Sequence, residues 1–211
     1  MESFDLIQIF DMMVIPRIEY YDWQKIFVSH CQIYADVALD IVKDLLEKKI
    51  DKCETKNILY NKDKNFDYIY PQNTAIKFTF EIYNFSMKEN DYNIRKKYKI
   101  CSVFIPLLTF HTFNIVFGKD KVCIYQSWFQ TQTYSKIHEF TKLEYNNWIK
   151  QLLNCFNNLI ENKNIVESFD TIEKLFTYDK KLIKADFVKN HFSDKDDIQI
   201  NINIESCNFI N

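Results

Sequence analysis

The amino-acid sequence predicts an α+β fold, in which a mainly antiparallel sheet packs against a long N-terminal helix and a second, C-terminal helix. Three observations support this prediction. Apolar and polar residues alternate in two separate runs, the single glycine lies between two strand-like segments, and two stretches with helical apolar spacing each follow a capping sequence. Consecutive strands with short connections pair antiparallel, so we expect an antiparallel sheet.

The first long helix is expected after Ser29. Residues 1–28 predict only short helices or turns. Ser29 followed by Gln32 has the form of a capping box, and apolar residues then recur at helical spacing as far as Lys49. The segment 51–73 is largely polar, and within it residues 61–65 are expected to form an exposed loop.

Strands follow this segment. The segment from Ile76 to Ile82 alternates apolar and polar residues, the pattern of a strand with one buried face. Residues 98–108 form an apolar run that Pro106 should confine to a strand end or a sheet edge.

Gly118 marks a hairpin between a strand at 110–117 and a returning strand at 121–128. A two-residue loop with glycine in its first position suits a type II′ turn. The facing pairs predicted by this register are His111–Gln126, Phe113–Ile124 and Ile115–Val122. Alternate residues of a strand share a face, so His111 and Gln126 should meet on one side of the sheet.

A second helix is expected to start at Thr141, which with Glu144 repeats the capping pattern. Its apolar face is predicted to consist of Leu143, Trp148, Leu152, Phe156, Leu159 and Ile160. A shorter helix is expected at 171–178. Ile198 to Ile204 alternate isoleucine with Gln or Asn and predict a late strand.

Composition narrows the function. The 211 residues are 47% hydrophobic, and 27 basic against 29 acidic residues give a net charge of -2, so we expect no nucleic-acid partner. The apolar runs are too short to cross a membrane, and no signal peptide is recognisable. The six widely spaced cysteines then favour reduced thiols in the cytoplasm. No closely spaced Cys or His pair suggests a metal, and no cofactor is expected.

Cys31 is the candidate nucleophile. It stands two residues after Ser29, so its sulfur should lie in the first turn of the long helix. Unpaired amide hydrogens and the helix dipole stabilise a thiolate at that position. A histidine that takes the thiol proton, and a polar side chain that orients this histidine, would complete the site. His111 and Gln126 fit those two roles.

The order of these residues resembles that of the papain-like and transglutaminase-like cysteine enzymes. The matching segments are Ser29-His30-Cys31-Gln32, His111-Thr112-Phe113-Asn114-Ile115-Val116 and Val122-Cys123-Ile124-Tyr125-Gln126-Ser127-Trp128. The resemblance implies that Cys31 is the nucleophile, His111 the base and Gln126 the orienting residue, with Gln24 as an oxyanion donor. These families commonly have Asp or Asn at the orienting position, and they often have a small residue where His30 stands.

The length and hydrophobic content of the chain predict a single domain over residues 1–211. The resemblance implies a papain-like core at roughly 20–140, which leaves 141–211 as a C-terminal extension of helices and a strand. The reaction would be acyl transfer through a thioester. We expect a cysteine peptidase that acts on a protein or peptide, although deamidation and transamidation share the same first step. The oligomeric state is not predicted.

Other interpretations remain open at this point. Cys31 is equally a small apolar residue on a buried helix face, and Cys101 is a second candidate nucleophile. Cys123 should pair with Asn114 and point away from His111. A non-catalytic viral or parasite protein that binds a host protein is the alternative function, because aromatic residues make up 17% of the chain and favour interfaces. The Ile-, Asn- and Lys-rich composition suggests an AT-rich source and a location in host-cell cytoplasm.

Overall fold

The structure is a computed structural model. In the part of the chain that it describes, six β-strands form one antiparallel sheet. This part comprises residues 4–15, 30–63, 66–85, 107–127, 133–177 and 197–211. The strands are β1 (Ile50–Leu59), β2 (Thr74–Asn84), β3 (Leu107–Phe117), β4 (Lys121–Ser127), β5 (Tyr134–Thr141) and β6 (Ile198–Phe209). The helices are α1 (Leu6–Asp11), α2 (His30–Leu45), α3 (Lys142–Ile160) and α4 (Ile165–Leu175), with a 3₁₀ turn at Glu47–Lys49. The predicted α+β class with an antiparallel sheet is confirmed.

The strand order is β1-β6-β2-β3-β4-β5, so the last strand of the sequence lies between the first two. Ile200, Ile202 and Ile204 of β6 are at most 1% exposed and point into the core. The intervening Gln and Asn side chains are only half-buried and point to the opposite face. The alternation predicted for this segment is therefore confirmed, and the strand belongs to the centre of the sheet.

Helices lie on both faces of the sheet. On one face, α3 and α4 pack over a core that contains Phe80, Phe113 and Phe156. On the other face, α1 and α2 pack over β2, β3 and β4, where Tyr34 of α2 contacts a cluster that includes Val116. The outer part of this second face, formed by β1, β6 and part of β2, is left with a polar surface.

Thr141 begins α3 as predicted. Its backbone N–H donates to Glu144 Oε2 at 2.7 Å, and the N–H of Glu144 donates to Thr141 Oγ1 at 3.3 Å, which is a capping box. Leu143 differs from the prediction because it is 69% exposed and does not belong to the buried face. The next helix, α4, starts at Ile165, earlier than expected.

The hairpin register differs from the prediction by two residues. Ile115 pairs with Ile124 and Phe117 with Val122, and Gly118 N–H donates to the carbonyl of Lys121 at 2.9 Å. The predicted type II′ turn is wrong, because Gly118 does not have the positive φ that such a turn requires. A Cβ atom at this position would lie 2.6 Å from Ile7 Cδ1 of α1, so any other residue would require the Ile7 side chain to shift.

Two strands and one covalent bond were not predicted. β1 and β5 are the two edge strands of the sheet. Cys53 of β1 faces Cys207 of β6 and forms a disulfide with it, contrary to the expectation of reduced thiols throughout. The two cysteines are 154 residues apart in the sequence, and only the pairing of β6 with β1 brings them together. The bond was therefore not predictable from local sequence.

Some predictions lie outside the described residues. These concern Ser29, Gln24, Cys101, the aromatic residues Tyr20, Tyr21, Trp23, Trp128 and Phe129, and the strand at 98–106. Within the described part of the chain, no helix has both the length and the apolar character that crossing a membrane requires.

Candidate functional site

His111 and Gln126 meet on the face of the sheet that α3 and α4 cover. Gln126 Nε2 donates to the carbonyl of Phe176 at 2.8 Å, which leaves Gln126 Oε1 as the acceptor toward His111. His111 Nε2 lies 2.7 Å from that oxygen and therefore carries the proton. The two-residue shift in register preserves the face of each side chain, so the predicted contact forms in spite of the different pairing.

Aromatic side chains pack against His111. Its side chain is enclosed in the core, and its ring centroid lies 4.8 Å from that of Phe176 and 5.7 Å from that of Phe113. Burial lowers the pKa of His111 to about 4, although the hydrogen bond with Gln126 acts in the opposite direction. The imidazole is thus neutral at physiological pH and has the environment of a core residue.

Cys31 lies in the first turn of α2, on the other side of the sheet. Asn114 of β3 points toward α2 and donates from Nδ2 to the carbonyl of Ala35 at 3.2 Å. His111 lies three positions before Asn114 on the same strand, so its side chain points to the opposite face. The structure therefore brings His111 and Gln126 together but does not bring Cys31 to them.

The other cysteine that the sequence draws attention to is Cys123. It is buried among the residues under α1 and α2, and burial raises the pKa of its thiol to about 11. It pairs with Val116 and not with Asn114, but it does point away from His111 as expected. Within the described ranges, no three His, Cys, Asp or Glu side chains cluster in a way that could hold a metal ion.

The chain matches no family model, no curated protein and no solved structure. The described part of the chain offers two adjoining features, a polar groove on the sheet and the outer edge of β1.

The polar groove lies beside α2 on the face formed by β1, β6 and β2, and it has a volume of about 650 Å³. Strand pairing arranges its side chains in rows that run across three strands. The rows are Thr55–Glu205–Lys77, Asn57–Asn203–Thr79 and Leu59–Asn201–Glu81. Gln32 of α2 also lines the groove. This regular array of amide, hydroxyl and charged groups makes the surface of the groove polar.

Charged groups close one end of the groove. Lys77 Nζ forms ion pairs with Asp36 of α2 and, at 2.9 Å, with Glu205 of β6, and Lys43 of α2 also contacts Glu205. Burial raises the pKa of Glu205, but hydrogen bonds from Lys43 and Lys77 lower it more, so the pKa lies below its ordinary value. This network fixes α2 against the sheet beside the groove.

Aromatic side chains continue the same face of β2 beyond Glu81, the last residue of this strand that lines the groove. Tyr83 donates its hydroxyl to Glu81 Oε2 at 2.8 Å, which shows that both side chains lie on the groove face. Phe85 stacks on Tyr83 with ring centroids 5.9 Å apart and an interplanar angle of 16°. Because Phe85 is 49% exposed, an accessible aromatic surface lies on this face beyond the residues that line the groove.

The outer edge of β1 forms one border of the groove. Cys53 and Cys207 face each other with their Cα atoms 4.2 Å apart, a spacing typical of a pair that is not hydrogen-bonded. The N–H of Tyr60 donates to Ile200 in β6 at 2.8 Å, which fits the same alternation. The backbone groups of Cys53 and of Thr55, Asn57 and Leu59 therefore point outward, and in the described chain β1 pairs with β6 alone.

The groove was only partly predictable from the sequence. Polar residues alternate with the isoleucines of β6 and with the apolar residues of β2, but this pattern predicts only that each strand has an outer face. Their neighbours across the groove come from β1, which is exposed along most of its length and has no alternating pattern. No local signal showed that β6 and β1 would be adjacent.

Proposed function

We propose that the protein is a non-catalytic interaction protein that binds an extended segment of a partner protein along the outer edge of β1. The observation that supports this function is the outward-pointing backbone of Cys53, Thr55, Asn57 and Leu59 in a ten-residue edge strand. A peptide that adds a strand to such an edge gains main-chain hydrogen bonds at alternate residues.

The edge is ordered before a partner arrives. β1 pairs with β6 along its length, and the Cys53–Cys207 disulfide joins the two strands covalently. A binding strand that is already held in its extended conformation loses little conformational entropy when a peptide binds, and this favours affinity.

Side chains on β1 indicate the chemistry of the partner. Lys52, Glu54 and Lys56 share the face that is turned away from the groove, and Lys52 forms an ion pair with Glu54. Lys56 Nζ lies over the ring of Tyr70, 5.8 Å from its centroid, and gives these three residues a net positive charge. A partner strand with an acidic side chain opposite Lys56 would be electrostatically complementary, since opposite charges on facing strand positions attract.

Cysteine peptidase activity on a papain-like core is the other function that the sequence suggests. That reaction requires a histidine within hydrogen-bond reach of the nucleophilic sulfur. Cys31 belongs to a helix on one face of the sheet, whereas the His111 imidazole lies in the core on the opposite face. We therefore favour binding over acyl transfer.

The test uses random 12-residue peptides displayed on phage and selected on the immobilised wild-type protein. Peptide affinity is compared with that of the double variant Thr55→Pro/Asn57→Pro. This variant removes two outward N–H groups and leaves the β1–β6 hydrogen bonds in place. We expect selected peptides to bind the wild type at least tenfold more tightly than this variant and to shift the backbone amide resonances of β1. Circular dichroism and thermal unfolding establish that the proline variant is folded.

A matched control changes the same two side chains but keeps their N–H groups. Thr55→Val/Asn57→Ala should retain most of the peptide affinity if the main chain makes the contact. Peptides that bind the proline variant as tightly as the wild type, or a selection that enriches no peptide, would contradict the proposal. A wild-type dimer that dissociates in the proline variant would mean that a second copy occupies the edge.

A further inference from the structure

We infer that the polar groove on β1, β6 and β2 is a binding site for a neutral saccharide. This inference is independent of the proposed strand addition, because it depends on side chains of the sheet face and not on the backbone at the β1 edge.

The first argument is hydrogen-bonding capacity. Asn203 Nδ2 donates to Asn57 Oδ1, and Gln199 Nε2 donates to Asn201 Oδ1 at 2.9 Å. Each amide carries both donor and acceptor atoms, so the Asn57 and Asn201 amino groups and the Asn203 carbonyl still point donors and acceptors at the groove. A sugar hydroxyl also donates and accepts, and it matches such a mixed surface better than a ligand with acceptors alone.

The second argument is charge. Among the described residues that line the groove, Lys77 is the only cation, and it is already paired with Asp36 and Glu205. Glu81 and Glu205 add two carboxylates to the same lining. A phosphate- or carboxylate-bearing ligand would meet net negative charge there, so the groove favours an uncharged ligand.

The third argument is the pair of aromatic side chains that follows the groove along β2. Tyr83 and the half-exposed ring of Phe85 lie on the same face, two and four residues beyond the lining residue Glu81. The C–H face of a sugar ring is apolar and packs on an aromatic side chain, while its hydroxyls reach the adjacent polar groups. The volume of about 650 Å³ lies within the range of small-ligand sites and is sufficient for a short oligosaccharide.

Saturation-transfer difference NMR on the full chain tests this site. The probes are maltose, lactose, cellobiose and N,N′-diacetylchitobiose, with a desialylated N-linked glycopeptide in a second arm and sialyllactose as the charged comparison. Signal from the free disaccharides indicates a soluble sugar as the ligand, whereas signal from the glycopeptide alone indicates a protein-borne glycan. We expect at least one neutral probe to receive saturation and sialyllactose to bind at least tenfold more weakly.

Three variants locate the site. Asn203→Ala removes the central amide, Phe85→Ala removes the aromatic surface, and Thr55→Val removes one hydroxyl without a change of shape. We expect Asn203→Ala to weaken the binding of every probe at least tenfold and Thr55→Val to weaken it severalfold. Phe85→Ala should weaken only the glycopeptide, whose longer glycan can reach from the groove to this ring. Asn154→Ala on the exposed side of α3 is the matched control and should bind like the wild type.

Two results would overturn the inference. One is the absence of saturation transfer to every neutral probe in both arms. The other is binding that survives Asn203→Ala in protein with wild-type circular dichroism. Because Thr55→Val keeps a β-branched residue on the edge strand, it remains informative if Asn203→Ala fails to fold.

Discussion

His111 Nε2 and Gln126 Oε1 lie 2.7 Å apart, although the hairpin register makes these residues diagonal and not directly facing neighbours. Long side chains bridge diagonal positions of an antiparallel pair, whereas short ones do not. The length of glutamine is therefore what allows this residue to contact both the imidazole and the carbonyl of Phe176.

Shortening this side chain should break both contacts. We expect Gln126→Asn to lower the free energy of unfolding by about 1–3 kcal/mol, because it leaves buried polar groups without their hydrogen bonds. Urea unfolding monitored by circular dichroism measures the change. Gln151→Asn, the same substitution at an exposed position of α3, should change stability by less than about 0.5 kcal/mol. Equal effects of the two variants would contradict this role of Gln126.

The buried imidazole should make stability depend on pH. The pKa of His111 is about 4 in the folded protein against an ordinary value of 6.5, so between these values the unfolded chain takes up a proton that the folded chain does not. The free energy of unfolding should fall as pH drops through this window, by about 3 kcal/mol in total. Urea unfolding between pH 7 and 5 measures this effect, and the free energy of unfolding should depend less on pH in His111→Phe than in the wild type. An unchanged slope would rule out His111 as its source.

The reactivity of Cys31 should not depend on His111. We expect the rate of alkylation of Cys31 by iodoacetamide, followed by mass spectrometry against pH, to be the same in the wild type and in His111→Phe. The reason is that the imidazole lies on the opposite face of the sheet from α2 and cannot take the thiol proton. Cys31→Ser identifies the modified peptide. Fast alkylation below neutral pH that slows in His111→Phe would instead revive the acyl-transfer hypothesis.

The ion pairs beside the groove should stabilise the packing of α2. Glu205→Gln removes the carboxylate that Lys43 and Lys77 contact, and we expect a loss of about 1–2 kcal/mol in unfolding free energy. Because the pKa of Glu205 is lowered in the folded state, its stabilisation is present above its ordinary pKa and is lost as pH falls below it. Thermal unfolding at pH 7 and pH 3 checks this, and the difference in stability between Glu205→Gln and the wild type should be smaller at pH 3. A difference that grows at pH 3 would contradict this assignment.

The disulfide should contribute substantially to stability. Reduction with dithiothreitol is expected to lower the free energy of unfolding by about 2–4 kcal/mol, because the Cys53–Cys207 bond closes a loop of well over 100 residues. Cys53→Ser provides the control, since its stability should be insensitive to the reductant. If the wild type is equally insensitive, the bond either does not form in solution or does not constrain the unfolded chain.

The sequence predicted the strands that have one buried face and failed on those that do not. β2 and β6 alternate regularly because they are central strands with a core on one side. β1 and β5 are edge strands with exposed side chains on both faces, so no period-two pattern marks them. The contact between His111 and Gln126 was predictable because a two-residue slip preserves the face of a side chain. The side of the sheet on which α2 packs was not predictable. Local periodicity shows that a helix has a buried face, but it does not show which face of the sheet that helix contacts.

The position of β6 between β1 and β2 also determines when the protein can fold during its synthesis. Residues 50–84 leave the ribosome long before residues 198–209, so β1 and β2 lack the neighbour that joins them while most of the chain is being made. Until β6 inserts, both nascent strands carry edges that can pair with other chains. Folding of the sheet is thus a late event in the life of the nascent polypeptide, and early strands need protection from aggregation in the meantime.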